Sequence, residues 1–371
     1  MRILVDYRPA LRARTGVGEY LHTLVQAYTA AYDDVVTLFT SSWKDRPSPT
    51  LASDLRARVV DRRVPVFALN YLWHRTEWPP VETLAGATDV VHALHPLLIP
   101  SRHAAQVVTI HDLFFLDSPE RTRAEISRDY PRLAASHARR ADAIITPSAH
   151  TKSLVGSRLG VPADRIYVCA PGAPIWQSLG HEPRAREDGY ILFLGTLEPR
   201  KNLGMLLDAY TELTRRARRV PPLVIAGGTT VDAKEWLARI SQAPLQAHVT
   251  YKGYVATGDR ERLYAGARAL VLPSLDEGFG LPALEAMSAG VPVLVSNRGA
   301  LPEVVGTAGV VLDAGDADAW AAAIDRVTTD AEWAADLRRA GLERAREFTW
   351  TSAATQLHRA YVDAVRRRGG R

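Results

Sequence analysis

The chain has 371 residues, one cysteine (Cys169) and a formal net charge of +5, which makes it too long for one typical core and excludes an internal disulfide or a thiolate metal cluster. With 47% hydrophobic and 23% charged residues it holds enough apolar material for two cores, so disorder is excluded. The positive excess lies in arginine clusters, Arg215, Arg216, Arg218 and Arg219 and then Arg366 to Arg368, which read first as solvated faces and second as contacts for an anionic membrane; without zinc-finger spacing or an RNP-type aromatic pattern, nucleic acid is not an expected partner.

From the N-terminus, RILVDY is a short apolar run ended by Asp6 and Arg8, a first strand rather than a secretory signal. Further strands are expected at VVTLFT (35–40), DVVHAL (89–94), VVTIHD (107–112), AIITPS (143–148) and IYVCAP (166–171), separated by amphipathic helical stretches. The stretch GAPIWQSLGHEPRAREDG (172–189) is polar, carries Gly and Pro and has no sustained period; it reads as an interdomain linker. The alternation then resumes with YILFLGT (190–196), PLVIAGG (222–228), VTYKGYV (249–255), ALVLPS (269–274), VPVLVSN (291–297) and AGVVLDA (308–314).

Two such series imply an α/β protein with two doubly wound, Rossmann-like sheets facing across a cleft. The expected domains are 1–175 and 176–350, with a C-terminal helix at 351–371, begun by a Thr or Ser cap and packing back on the first domain. No stretch is long and apolar enough to span a bilayer. The expected location is the cytoplasm, with peripheral attachment at the inner membrane face as the alternative.

The chemistry concentrates after strands. In DEGFGLPALEAMSAG (276–290) a glycine turn leads into a helix with Pro282 near its first position. The backbone amides around Gly278, Phe279, Gly280 and Leu281 then present the positive end of a helix dipole, which suits a phosphate or diphosphate. Glu277 and Glu285 flank this turn and would repel an anion they touched, so they are expected on hydroxyl groups to either side of it. A diphosphate with a sugar at each end is a nucleotide sugar. The plainer alternatives are a helix-capping role for Glu277 and a solvated helix position for Glu285.

In GTLEPRKN (195–202), Arg200 and Lys201 follow a strand and form a cationic clamp suited to a leaving diphosphate. Gly16 and Gly18 of TGVGEY follow the first strand and either approach a ligand or only turn the chain. His111 and Asp112 of TIHDLFF end a strand; the histidine suits a sugar hydroxyl or charge near an anomeric carbon, and the aspartate either fixes the imidazole or shapes the loop. Asp316 and Asp318 of GDADAW precede a helical stretch and read as caps rather than metal ligands. Tyr71, Trp73 and Trp78 either stack on a sugar or fill the core.

The pair Glu277 and Glu285, with AMSAGVPVLVSNRGALPEVVG after it, resembles the signature of retaining glycosyltransferases of family 4, and the likeness covers nearly the whole chain. It implies the GT-B fold, an N-terminal acceptor domain and a C-terminal nucleotide-sugar domain, with no cofactor or metal. It also implies that Arg200 and Lys201 hold the diphosphate, that Glu277 and His111 serve at the donor sugar, that Gly16 or Gly18 approaches phosphate or acceptor by its backbone, and that Tyr254 and Val255 hold the nucleobase through backbone atoms. Ser148 and Lys152 resemble the family's loop and helix near the hinge. The HDLFF and TPSAHTKS stretches are most similar to bacterial polysaccharide mannosyltransferases, which implies GDP-mannose as donor and a saccharide or lipid-linked saccharide as acceptor; UDP-glucose and UDP-N-acetylglucosamine are the alternative donors. Two other classes compete. A nicotinamide-dependent oxidoreductase would carry GxGxxG where this chain has GVGEY. A non-catalytic nucleotide-sugar binder or scaffold would lose Glu277 or His111, and both are present.

Overall fold

The computed structural model describes residues 1–11, 16–117, 124–176, 189–217 and 219–370, so Arg218 and residues 177–188 of the expected linker lie outside the described residues. The chain divides into two compact units, Met1–Gly172 with Thr349–Arg371, and Ala173–Phe348.

The first unit holds strands β1 (Arg2–Asp6), β2 (Val35–Thr40), β3 (Arg58–Asp61), β4 (Val90–Ala93), β5 (Ala105–Thr109), β6 (Ala143–Thr146) and β7 (Ile166–Val168). They form one parallel sheet in the order β3-β2-β1-β4-β5-β6-β7. The second unit holds β8 (Tyr190–Leu194), β9 (Leu223–Ala226), β10 (Val249–Gly253), β11 (Ala267–Leu272), β12 (Val293–Ser296) and β13 (Val310–Leu312), parallel in the order β10-β9-β8-β11-β12-β13. In both sheets the first three strands run outward in one direction and the rest in the other, which is the doubly wound arrangement.

The strands β1, β4, β5, β6, β9, β11 and β12 are near-continuous apolar runs because helices cover both faces of each sheet. β3 was not expected from the sequence: RVVD is short, flanked by arginines and only partly buried at the sheet edge, so it lacks a core strand's hydrophobic run. β5 stops at Thr109 rather than 112, because Asp112 Oδ1 accepts the Phe114 amide at 3.2 Å and turns the chain into a short helix.

On one face of the first sheet, Leu21, Leu24 and Tyr28 of the helix Val17–Ala31 pack with Leu357, Tyr361 and Ala364 of the helix Trp350–Gly369. The latter helix is capped by Thr349, whose side chain accepts the Ser352 amide at 3.1 Å. Trp73, Ala134, Ala138 and Val155 fill the other face. In the second unit Phe193, Tyr210, Trp320 and Ile324 are fully buried around the sheet. No helix among the described residues is long and apolar enough to cross a membrane.

Two buried histidines of the first unit are held neutral. His92 bridges Tyr361 Oη (2.8 Å) and Thr109 Oγ1 (2.7 Å), and burial pushes its pKa down to about 3. His137 Nδ1 accepts the Leu98 amide at 2.9 Å; burial, then the charge of Arg140, push it down to about 4. Both folded-state values lie below the ordinary 6.5, so the unfolded chain takes up protons first and stability is lost as pH falls below about 6.5. The unfolding free energy should drop by roughly 1.4 kcal/mol per pH unit for each histidine between pH 6 and 4. Urea unfolding across this range checks it, and His137→Gln should flatten the slope by one proton's share.

Candidate active site

Ligands of doubly wound sheets bind beyond the carboxyl ends of the strands, where the loops of neighbouring strands diverge. In the second sheet that point lies between β8 and β11, and it is where the sequence-predicted cations and carboxylate meet. β8 leads through Gly195 to the turn Pro199–Lys201, and β11 leads through Pro273 and Ser274 to Glu277. The two loops are locked together: the Leu275 amide donates to the Arg200 carbonyl (2.8 Å), Arg200 Nη1 to the Asp276 carbonyl (3.0 Å) and Asn202 Nδ2 to the Pro273 carbonyl (3.1 Å).

Glu277, 6% exposed, is the centre of this junction. Its Oε1 accepts from Lys201 Nζ at 2.5 Å and from Ser274 Oγ at 2.9 Å, and its Oε2 from Arg200 Nη1 at 3.4 Å. Burial alone would raise the carboxyl pKa, but Lys201 and then Arg200, with the Lys201 and Ser274 hydrogen bonds, outweigh it and hold Glu277 below the usual carboxylate range. Arg200 is shared with Glu198 Oε1 at 2.8 Å. Behind Glu277 the loop after β12 supplies a backstop: its carbonyl accepts the Ala300 amide at 2.8 Å. A Cβ on Gly299, at φ +60°, would lie 2.4 Å from the Glu277 nitrogen, so only glycine permits this approach.

Three residues on, Gly280 adopts φ +99° and starts the helix Leu281–Ser288 without any side-chain cap. Glu277 is therefore a partner of cations and not a helix cap. Phe279 and Gly280 are buried, and among the described residues nothing accepts from the amides of Phe279, Gly280 or Leu281, as expected of a helix start open to a ligand. Glu285, one turn inside, is 9% exposed rather than solvated: Oε1 accepts from Arg260 at 2.8 Å and Oε2 from Tyr264 Oη at 2.7 Å. Tyr254 and Val255 follow β10 at the sheet edge; Tyr254 is 53% exposed, and no described hydrogen bond ties either residue to the cluster.

In the first unit His111 lies just beyond β5, half-buried. Its ring meets Tyr20 edge-on at 5.5 Å and lies under the influence of the Leu94 backbone, while Nε2 is shielded from solvent and has no partner among the described residues. Burial pushes its pKa down to about 4 against the opposing pull of Asp112 and Leu94. In the neutral ring one nitrogen is an acceptor, and Nε2 can fill that role when the proton sits on Nδ1. Asp112 shapes the loop through the Phe114 amide. Gly16 (φ +50°) is exposed at the start of the helix Val17–Ala31, whereas Gly18 packs on its own chain, a Cβ there lying 3.0 Å from the Pro9 carbonyl.

Other sequence candidates have structural duties. Ser148 caps the helix Ala149–Leu159, and Lys152 Nζ donates to the Ile166 carbonyl at 2.8 Å. Asp316 caps the helix Ala317–Thr329 through the Ala319 amide, and Asp318 pairs with Arg216. Trp73 is core, while Tyr71 and Trp78 are exposed. Sequence reasoning missed Ser274, Asn202, Arg260 and Tyr264. Ser274 and Asn202 stand inside the quoted strand and loop motifs, but their bonds cross between loops and leave no local pattern.

The sequence model described as Glycosyltransferase Family 4 matches residues 14–176, and that described as Glycosyl transferases group 1 matches residues 176–344. The O-antigen chain mannosyltransferase B of Escherichia coli is 32% identical over 97% of this chain and 99% of its own length. The chain belongs to glycosyltransferase family 4. The glycosyltransferase is also 28% identical to the serotype-specific mannosyltransferase WbdA of Escherichia coli over 67% of this chain and 32% of that one. Its GT-B fold is similar to that of the sucrose-phosphate synthase of Thermosynechococcus elongatus, with a TM-score of 0.75, 22% identity and coverage of 97% and 98% of the two chains.

Because Lys201 and Glu277 are both nearly buried in the glycosyltransferase, removing one partner strands the other's charge. Lys201→Ala should destabilise the protein by about 3 kcal/mol, and adding Glu277→Gln should restore more than half of that, as read by urea unfolding of the single and double variants.

Proposed function

We propose that the glycosyltransferase moves a mannosyl residue from GDP-mannose to a saccharide or lipid-linked saccharide acceptor, with retention at the anomeric carbon and without a metal ion. The observation that carries this reading is the junction of Arg200, Lys201 and Glu277 beside the open helix start at Gly280. Its relatives named as mannosyltransferases supply the sugar.

Lys201 has three N–H donors and Glu277 takes one of them. In this reading the ammonium and Arg200 add a diphosphate as a further partner, and the amides of Phe279, Gly280 and Leu281 complete the cradle. Glu285 takes the ribose hydroxyls at one end of the diphosphate and Glu277 a hydroxyl of the donor sugar at the other. His111, an acceptor at Nε2, takes a sugar hydroxyl proton in a hydrogen bond. Gly16 presents backbone to phosphate or acceptor, and Tyr254 and Val255 line the base.

The acceptor oxygen attacks the anomeric carbon on the face the diphosphate leaves. The C1–O(phosphate) bond breaks, the C1–O(acceptor) bond forms, and the acceptor's proton passes to a phosphate oxygen, releasing GDP. The protein contributes position and charge stabilisation.

The deciding experiment offers GDP-mannose, UDP-glucose and UDP-N-acetylglucosamine with a manno-oligosaccharide acceptor in excess chelator, and reads the product linkage by NMR. An α-mannoside formed only from GDP-mannose is expected. Product from a UDP-sugar alone would replace the donor, an inverted product would overturn retention, and loss of activity in chelator would overturn metal independence. Arg200→Ala should slow turnover by roughly a hundredfold. Since His111 has a pKa of about 4, kcat should hold from neutral pH down to about 5 and fall as protonation of Nε2 removes its lone pair; His111→Phe should show the low rate at every pH.

A further inference from the structure

Trp176 falls in the stretch whose composition reads as linker, yet its indole is docked in the second unit. The ring lies 5.5 Å from that of Tyr264, tilted by 50°. Its Nε1 donates to Ser288 Oγ at 2.9 Å, and Ser288 Oγ in turn donates to the Glu285 backbone carbonyl at 2.8 Å. Tyr264 is completely buried and gives its hydroxyl proton to Glu285 Oε2, while Arg260 bonds Oε1. Burial, then the charge of Glu285, push the phenol well above its usual range, so it stays a donor.

A glutamate side chain has three torsions, and a solvated one samples many carboxylate orientations. Here Arg260 on one oxygen and Tyr264 on the other hold the plane of the carboxylate, and that tyrosine is itself braced by an indole pinned to the same helix. Two adjacent hydroxyls are read together at less ordering cost by a carboxylate already held in such a fixed plane. We infer that Tyr264, braced by Trp176, is a positioning residue that sets Glu285 for the paired 2′ and 3′ hydroxyls of a nucleotide ribose. This rests on the assignment of Glu285 to the ribose under the proposed function.

The test is a comparison of GDP and UDP with their 2′,3′-dideoxy forms, titrated calorimetrically into the full chain. The wild type should bind the ribose form at least about tenfold more tightly than the dideoxy form. Tyr264→Phe, which keeps the ring, should shrink that ratio at least threefold while changing dideoxy affinity less than twofold. Trp176→Leu should do the same, and Trp176→Phe, which keeps an aromatic face on Tyr264, should recover part of the ratio. Equal weakening of both forms, with the ratio intact in the variants, would mean that Tyr264 and Trp176 only support the fold and would overturn the inference. A wild type that does not separate the two forms would instead sink the assignment of Glu285 itself. Trp176→Leu, read against Trp176→Phe, stands as the informative variant should Tyr264→Phe fail to fold.

Discussion

A buried carboxylate holding two cations, Glu277 with Lys201 and Arg200, is the constraint on which the second unit's functional end depends. Two adjacent cations of one loop would repel one another, and burial would amplify that repulsion. Glu277 removes it, and in doing so joins the loop after β8 to the loop after β11. Ser274, Asn202 and Gly299 are then needed to place Glu277: one bonds its carboxylate, one ties the loops, and one leaves room for its backbone. Such fixed, pre-paired charge needs little reorganisation when an anion arrives, which is the condition for strong electrostatic stabilisation.

The two units share a winding and differ at the point where it reverses. In the first sheet that point lies between β1 and β4, and it is filled by the protein's own charges. Asp6 is completely buried and bonded by Arg8 at 2.8 Å on both oxygens, with His95 Nε2 at 3.4 Å, and Arg8 also bonds Asn70 at 2.8 Å. Burial would raise the Asp6 pKa, but Arg8 more than offsets it and the carboxyl stays ionised. Arg200 in the second unit is engaged as fully, by Glu198, Glu277 and the Asp276 carbonyl. In the second unit the same topological position ends in an uncapped helix start. In both units an uncapped glycine opens a helix, Gly16 in the first and Gly280 in the second, so what separates the two positions is the added cation, Lys201, on the buried Glu277.

The alternation of apolar runs and helical stretches was enough to read twelve of the thirteen strands, because a parallel strand covered on both faces must be apolar along its length. β3 escaped because an edge strand needs no such run. The meeting of Lys201 and Glu277 beside Gly280 was legible because a candidate site at a strand end is local: turn, cation and carboxylate stand within a few residues of the strand that delivers them. Tyr264 and Arg260 were not, since each acts through Glu285 some twenty residues away and looks like any residue of a polar helix. The docking of Trp176 was not legible for a related reason. Composition averages over a window, and one aromatic ring with a specific socket does not change the average.

The protonation states bear on where the acceptor's proton goes. A side chain taking it as general base works best with a pKa near the working pH. Glu277 is held below the ordinary carboxylate range by Lys201 and Arg200, and both its oxygens already accept hydrogen bonds. His111, at about 4, is a weak base as well, suited to accepting a hydrogen bond and poorly suited to keeping a proton. The same pairing blunts Glu277 as a nucleophile, since its charge is spent on two cations. In the proposed transfer charge grows instead on the departing diphosphate as its bond to the sugar breaks, so its oxygens would become better bases at the moment the acceptor's hydroxyl becomes more acidic. With Glu277 and His111 both weak bases, the proposed reaction is one in which the leaving group takes the proton, and such transfer on one face would leave the anomeric configuration unchanged.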